Sequence, residues 1–356
     1  MTATSLEAKV SYLRQPETYR DGTTRVDAIE THMSWVFLTD RSAYKLKKPI
    51  RYDRLDFTTP SLRHLYCEEE VRLNRRLARR IYRGTVALTQ EPGGRLALDG
   101  AGRPVDWLVH MRRLPENRML DKLLAERSVQ RDDVRPAALR LADFYAAAEP
   151  VQISTGDLCK RLEDGILADR HELLRPEFGM PRERVEAIAS NQLAFLAKHT
   201  AHFEERIRSG LIVEGHGDLR PEHICLTPEP VIIDCLEFCR ELREVDPADE
   251  LAFLALECER LGQAQVGHWF MEAYEERTGD RLPGPLLAFY RTYRILRRAK
   301  IAAWHLSEPT TLDPGRFAAR ARRYLELAGP QSAGPGEAGR LTPRLNPTGV
   351  PSRQRP

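Results

Sequence analysis

The sequence predicts an α+β protein in two lobes, a β-rich one followed by a mainly helical one. Three observations predict it. Up to about residue 115, short β-prone runs alternate with turn clusters and admit one long helical stretch. From 117 to 209, and again from 247 to 327, apolar residues recur at helical spacing. Between those stretches, residues 211–240 break into short apolar runs around the most polar, most function-like string in the chain.

The elements follow in order. Residues 1–24 read as a polar lead-in with a short apolar face at Val10 and Leu13. Residues 25–115 form the first lobe. Within it, Trp35-Val36-Phe37-Leu38 is apolar and β-prone, Thr39-Asp40-Arg41-Ser42 is a turn cluster, and Ala43-Tyr44-Lys45-Leu46-Lys47 alternates apolar with basic. This is a hairpin whose second strand carries Lys45 and Lys47 on one face. Pro60 and Ser61 can start a helix over 60–80, where Leu62, Leu65, Tyr66, Glu69, Glu70, Leu73 and Leu77 recur at helical spacing. Residues 84–90 and 104–113 read as strands, separated by Gly-rich turns. The second lobe covers 116–328, with helix breaks near 149–155 and 175–181, and carries a loop segment at 213–240. Residues 329–356, rich in Gly, Pro, Ser and Arg, read as a disordered tail.

Composition narrows the function classes. Apolar residues make up 42% of the 356 and charged residues 30%, which fits a soluble globular protein. No apolar run reaches the length of a membrane span, and the N-terminus lacks a basic-then-apolar leader, so a cytoplasmic protein is expected. A net charge of +3 is too small to argue for nucleic acid. Arginine is spread throughout, with no aromatic-basic recognition string. Six dispersed cysteines do not suggest a disulfide framework. The cluster His223, Cys225, Cys235 and Cys239 matches no common zinc spacing, and buried reduced cysteines on core strands are the better reading. Only eight residues are lysine, which makes Lys45, Lys47 and Lys48 within four positions conspicuous.

The polar string runs Val213-Glu214-Gly215-His216-Gly217-Asp218-Leu219-Arg220-Pro221-Glu222-His223-Ile224-Cys225-Leu226, and Ile233-Asp234-Cys235-Leu236-Glu237 follows shortly. A loop followed by two short strands would bring Asp218, His223 and Asp234 together. A phosphoryl-transfer site needs such a set: one carboxylate to accept or orient a hydroxyl proton, others to hold metal on phosphates.

His216-Gly217-Asp218, with a metal ligand expected five residues after the aspartate, resembles the catalytic loop of aminoglycoside and choline kinases, a variant of the protein-kinase His-Arg-Asp loop. Ile233-Asp234 resembles the metal-binding aspartate on the strand that follows. Thr31-His32-Met33-Ser34-Trp35-Val36-Phe37-Leu38, Ala43-Tyr44-Lys45-Leu46-Lys47-Lys48-Pro49 and Cys67-Glu68-Glu69-Glu70-Val71-Arg72-Leu73-Asn74 look like a bacterial branch of that superfamily, some of whose members are fused to a P-loop kinase domain. No Gly-x-x-x-x-Gly-Lys-Ser/Thr string occurs here, so that second domain is not expected. The resemblance covers about residues 5 to 327.

It implies a two-lobed protein-kinase-like fold with ATP and magnesium in the cleft, and γ-phosphoryl transfer to a hydroxyl of a small molecule. Asp218 would be the catalytic base or hydroxyl-positioning group. His216 would prop the loop or take part in proton transfer. Asp234 would bind magnesium. Lys45 would contact phosphate with Glu70 as its ion-pair partner, Lys47 and Glu69 being the alternatives at those two roles. Met111 to Arg113 would form the interlobe hinge that bonds adenine through backbone groups. Glu237 would touch the metal or face solvent. Asp246, Asp249 and Glu250 precede an apolar helix and read as helix-terminal charges or loop supports.

Two departures stand out. The usual Asn five residues after the catalytic Asp is His223, which offers nitrogen where magnesium prefers oxygen. This leaves open one metal in place of two, a preference for manganese, a role for His223 on phosphate or substrate, or a nucleotide-binding protein that has lost transfer. There is also no Gly-x-Gly-x-x-Gly loop before Lys45, and Thr39-Asp40-Arg41-Ser42 stands in the hairpin turn.

Overall fold

The computed structural model describes residues 4–52, 55–307 and 313–329. The expected tail lies, beyond Gly329, outside the described residues.

The lead-in is a helix, α1 (Leu6–Leu13), opened by Ser5, whose hydroxyl accepts the Ala8 N–H. It joins the core of the first lobe, because Val10 and Leu13 pack with Tyr19 against Phe37, Leu46 and Leu108. The lobe is built on β1 (Asp27–Glu30), β2 (Ser34–Leu38), β3 (Ser42–Lys47), β4 (Arg51–Tyr52), β5 (Leu55–Asp56), α2 (Pro60–Ala78), β6 (Tyr82–Gln90), β7 (Leu96–Leu98) and β8 (Arg103–Arg112). Six strands form one sheet in the order β1-β2-β3-β8-β6-β7, and every pairing in it is antiparallel. The expected hairpin is β2–β3, with Val36 opposite Lys45 and Ser34 opposite Lys47.

Thr59 caps α2, accepting the Leu62 N–H, and Pro60 opens its first turn. The helix packs on β8 and β6. Its buried face is partly polar: Arg63, Cys67, Glu70, Asn74 and Leu77 line it, while Leu65 is exposed. Apolar spacing alone therefore misplaces that face. Arg63 is tolerated inside because it forms a two-bond fork with buried Asp106, at 2.7 and 2.8 Å. Lys9 of α1 completes the pairing at 2.8 Å.

The second lobe holds α3 (Leu120–Ala125), α4 (Arg131–Ala146), α5 (Thr155–Leu173), α6 (Arg182–Lys198) and α7 (Thr200–Arg208), then β9 (Val213–Glu214), β10 (Ile224–Cys225), β11 (Val231–Ile232) and β12 (Glu244–Val245). It closes with α8 (Pro247–Arg260), α9 (Ala264–Thr278), α10 (Gly284–Trp304) and α11 (Pro314–Glu326). β10 pairs with β11 and β9 with β12. Leu219, Ile224, Ile232 and Cys235 anchor the segment between β9 and β12 in a core shared with α4, α8 and α9. A polar loop is thus held on an apolar floor. Among the described residues, no helix is long and apolar enough to cross a membrane.

Candidate active site

The loop after β9 is shaped by a buried carboxylate. Glu250, in the first turn of α8, accepts the backbone N–H groups of His216, at 2.9 Å, and Gly217, and the Tyr145 hydroxyl at 2.7 Å. Gly217 sits at φ +88°, and a Cβ there would meet Leu236 Cβ at 2.9 Å. Glycine therefore answers both a backbone and a packing demand.

His216 is fully buried. Its Nε2–H donates to the Ile233 carbonyl at 2.8 Å, and its Nδ1 accepts the Asp218 N–H at 3.3 Å. Those partners call for a proton on Nε2 and tie the loop to the strand segment that carries Asp234. His223 is held as the Nδ1–H tautomer. Its Nδ1–H donates to the Asp218 carbonyl at 2.8 Å, while Nε2 accepts from Arg220 Nη2 at 3.0 Å. Burial, then the Arg220 charge, push the His223 imidazole down to about 4.

Asp218, His223 and Asp234 converge. His223 Nε2 lies 3.5 Å from Asp234 Oδ2, and Arg220 Nε donates to Asp218 Oδ2 at 3.0 Å. Burial raises the Asp218 carboxyl, but Arg220 and Arg298 outweigh it and hold the group well below the usual carboxylate range. Asp234 adopts φ +64°, a left-handed conformation uncommon outside glycine. Its N–H reaches the Tyr82 hydroxyl at 3.1 Å. The next amide, of Cys235, donates to Asn74 Oδ1 at 2.9 Å, and Asn74 Nδ2 donates back to the Glu70 carbonyl at 2.8 Å.

Both lysines of β3 share one carboxylate. Lys45 Nζ bonds Glu70 Oε1 at 2.9 Å and Asp234 Oδ1 at 2.6 Å. Lys47 Nζ bonds Glu70 Oε2 at 2.6 Å and also Glu237. Exposure separates them: the Lys47 side chain is 0% exposed, Lys45 15% and Asp234 42%. Lys45 thus lies nearer the surface and Lys47 behind it. Glu237 faces Lys47, not solvent. Glu69 pairs with Arg72 and Arg243 instead, at 2.7 and 2.8 Å. Desolvation lowers the Lys45 ammonium, but Asp234 and Glu70 raise it well above its ordinary value.

Met111 and Arg113 stand at the end of the sheet. Met111 lies within β8 with Ala43 on one side and Tyr82 on the other. The Arg113 N–H donates to the Arg41 carbonyl at 2.9 Å, and its guanidinium to the Thr39 carbonyl at 2.7 Å. The Arg113 amide is therefore already engaged within the lobe. The Thr39–Ser42 turn sits at this end of the hairpin, with Ser42 opposite Arg112, and not at the Lys47 end. The turn nearer Lys47 joins β1 to β2, where Thr31 Oγ1 accepts the Ser34 N–H at 3.0 Å. Strand order, which the sequence does not print, decides which turn neighbours the lysines.

An Asp234 carboxylate oxygen suits magnesium, whereas His223 offers a nitrogen whose lone pair already accepts from Arg220. Of these donors, Asp234 is the one that could hold a cation, through the oxygen not bonded to Lys45. Among the described residues, no three His, Cys, Asp or Glu side chains are arranged to hold a metal by themselves, and all six cysteines are free. Sequence reasoning passed over Arg220, Asn74 and Arg298. Arg220 and Asn74 stand inside the quoted strings, but only the fold reveals their partners.

The chain matches no protein-family model. It is 33% identical over 309 residues to an uncharacterized protein of Mycobacterium tuberculosis, covering 85% of this chain and 59% of that relative's length. Among solved structures, it resembles the GDP complex of aminoglycoside 2'-phosphotransferase-IIIa, with TM-score 0.50 and 12% identity over 90% of this chain and 99% of that one. It also resembles a thermostable mutant of aminoglycoside phosphotransferase APH(4)-Ia, with TM-score 0.51 and 12% identity over 87% and 96%. At that identity the likeness shows the fold, a sheet-based lobe and a helical lobe of the kinase-like phosphotransferase kind.

Proposed function

We propose that the protein is an ATP-dependent phosphotransferase acting on a hydroxyl of a small molecule. The observation that carries this reading is the convergence of Asp218 and Asp234 through His223, with the Lys45–Glu70 pair bonded to Asp234. The fold neighbours are named as aminoglycoside phosphotransferases, which agrees with the reaction class. An antibiotic acceptor does not follow from that.

In this reading Asp234 holds a magnesium ion, which would neutralise charge on the ATP phosphates. Lys45 contacts phosphate, fixed by Glu70. Lys47 supports Glu70 from behind. Asp218 orients the acceptor hydroxyl and takes its proton as the oxygen bonds to the γ-phosphorus. The bond from that phosphorus to the bridging oxygen breaks, and ADP leaves. A carboxyl so strongly acidified is a weak base, so positioning and charge neutralisation supply most of the acceleration. His216 keeps the loop in place through Ile233 and does not reach the reacting atoms.

Calorimetric titration of a non-hydrolysable ATP analogue, with magnesium, with manganese and with neither, tests the cleft. Metal-dependent binding is expected, and no binding under any condition sinks the reading. Asp218→Ala should cut turnover by about 100-fold or more with analogue affinity kept; normal turnover removes Asp218 from its role. A second reading, a nucleotide-binding protein without transfer, is favoured by the engagement of His223 Nε2 with Arg220. Metal-dependent analogue binding with no transfer to any acceptor would select it.

A further inference from the structure

The acceptor hydroxyl must reach Asp218, so the surroundings of that carboxylate describe the acceptor. Oδ2 is taken by Arg220 on the His223 side. Oδ1 faces Arg298 of α10, whose Nη1 lies 3.7 Å away. The Arg298 guanidinium stands 5.7 Å from the Phe253 ring centre and 5.9 Å from that of buried Tyr324. Two more guanidiniums surround the same Tyr324 ring at 5.9 Å, those of Arg260 and Arg320.

Acids and bases interleave around this ring. Glu257 accepts from the Tyr324 hydroxyl at 2.7 Å and from Arg260 at 2.8 Å, and lies 4.0 Å from Arg298. Glu222 lies 3.5 Å from Arg260. Hydrogen bonding is incomplete. The Nε–H groups of Arg298 and Arg320 are buried without a hydrogen-bond partner among the described residues, and so is one carboxylate oxygen, Glu222 Oε2. Buried polar groups in folded proteins are nearly always paired, and exceptions call for an explanation.

We propose that the acceptor is an anionic hydroxyl compound, carrying a carboxylate or phosphate group that Arg298 and Arg320 bind. The proposal rests on the phosphotransferase reading of the same site. Anionic oxygens would supply what both Nε–H donors lack, and the planar fork of arginine suits them. A hydroxyl of the acceptor could donate to Glu222 Oε2. A cationic acceptor would meet like charge and leave both donors unpaired.

The test saturates the protein with magnesium and the ATP analogue, then titrates inorganic phosphate, glycerate and ethanolamine by calorimetry. Phosphate or glycerate should bind and ethanolamine should not, and the tighter of the two anions tells phosphate from carboxylate. Arg298→Met and Arg320→Met should each weaken anion binding about tenfold or more. Arg320→Met should leave analogue affinity unchanged, and Arg320→Lys should restore part of the anion binding. Anion binding that is absent, or unchanged in both variants, or weaker than ethanolamine binding, overturns the proposal. If the analogue itself does not bind, the kinase reading fails. The anion arm, run on the free protein and its two variants, then still decides whether this cluster is an anion site.

Discussion

Lys45 and Lys47 point from one face of β3 to the two oxygens of a single carboxylate, yet they answer different needs. Lys47 has no exposed surface and lies between Glu70 and Glu237. Removing one member of a buried ion pair strands the other, at roughly 3–5 kcal/mol. Lys47→Met should therefore lower unfolding free energy by about that amount in a denaturant titration. Lys45→Met should cost less stability and at least about tenfold in analogue affinity; equal effects from the two variants would refute the division. Spacing alone leaves these lysines equivalent, because residues two apart in a strand share a face. The strand's depth against α2 separates them. Asp218, His223 and Asp234 were readable as a group because they lie in one short stretch. Arg298 and Arg320 were not, since they come from arginine-rich helices in which no spacing distinguishes a cluster member from a solvated charge.

At the scale of elements, the loop from β9 to Asp218 depends on α8 more than on its own sequence. Glu250 serves two amides and the Tyr145 hydroxyl, so Glu250→Ala leaves three buried donors without their acceptor. Each costs about 1–3 kcal/mol when orphaned, and a loss of at least about 3 kcal/mol is expected by thermal or chemical unfolding. A loss under about 1 kcal/mol, the scale of an exposed ion pair, would show that the loop holds itself. The string in the sequence identified Glu250 as a helix-terminal charge or loop support without choosing. The choice follows from α8 packing beneath Leu219 and Cys235. Helix α2 shows the opposite case. Its apolar spacing located the helix and its ends well, but not its buried face, where Arg63, Glu70 and Asn74 are satisfied by partners distant in the chain.

Across the whole molecule, polar bonds tie the two lobes. Arg76 of α2 donates to the carbonyls of Glu214 and Gly215 at 2.7 and 2.8 Å. Arg243 joins Glu69 of α2 to Glu214 of β9 at 2.8 and 2.9 Å, and Asn74 links Glu70 to the amide after Asp234. Asn74→Ala cuts the last tie without touching the cleft, so it should weaken analogue binding several-fold while the metal preference stays the same. Unaltered affinity would make Asn74 a packing residue only.

The Asn74 tie has a wider consequence. Kinase-like proteins that are switched do so by moving the helix with the glutamate away from the metal-binding aspartate, breaking the lysine's ion pair. Here both neighbourhoods are stitched to one side chain and backed by the sealed pair of Lys47 and Glu237. In the proposed reading, drawing α2 away from Asp234 would break the Asn74 bond to Cys235 and the Lys47–Glu237 pair along with the Lys45 pair.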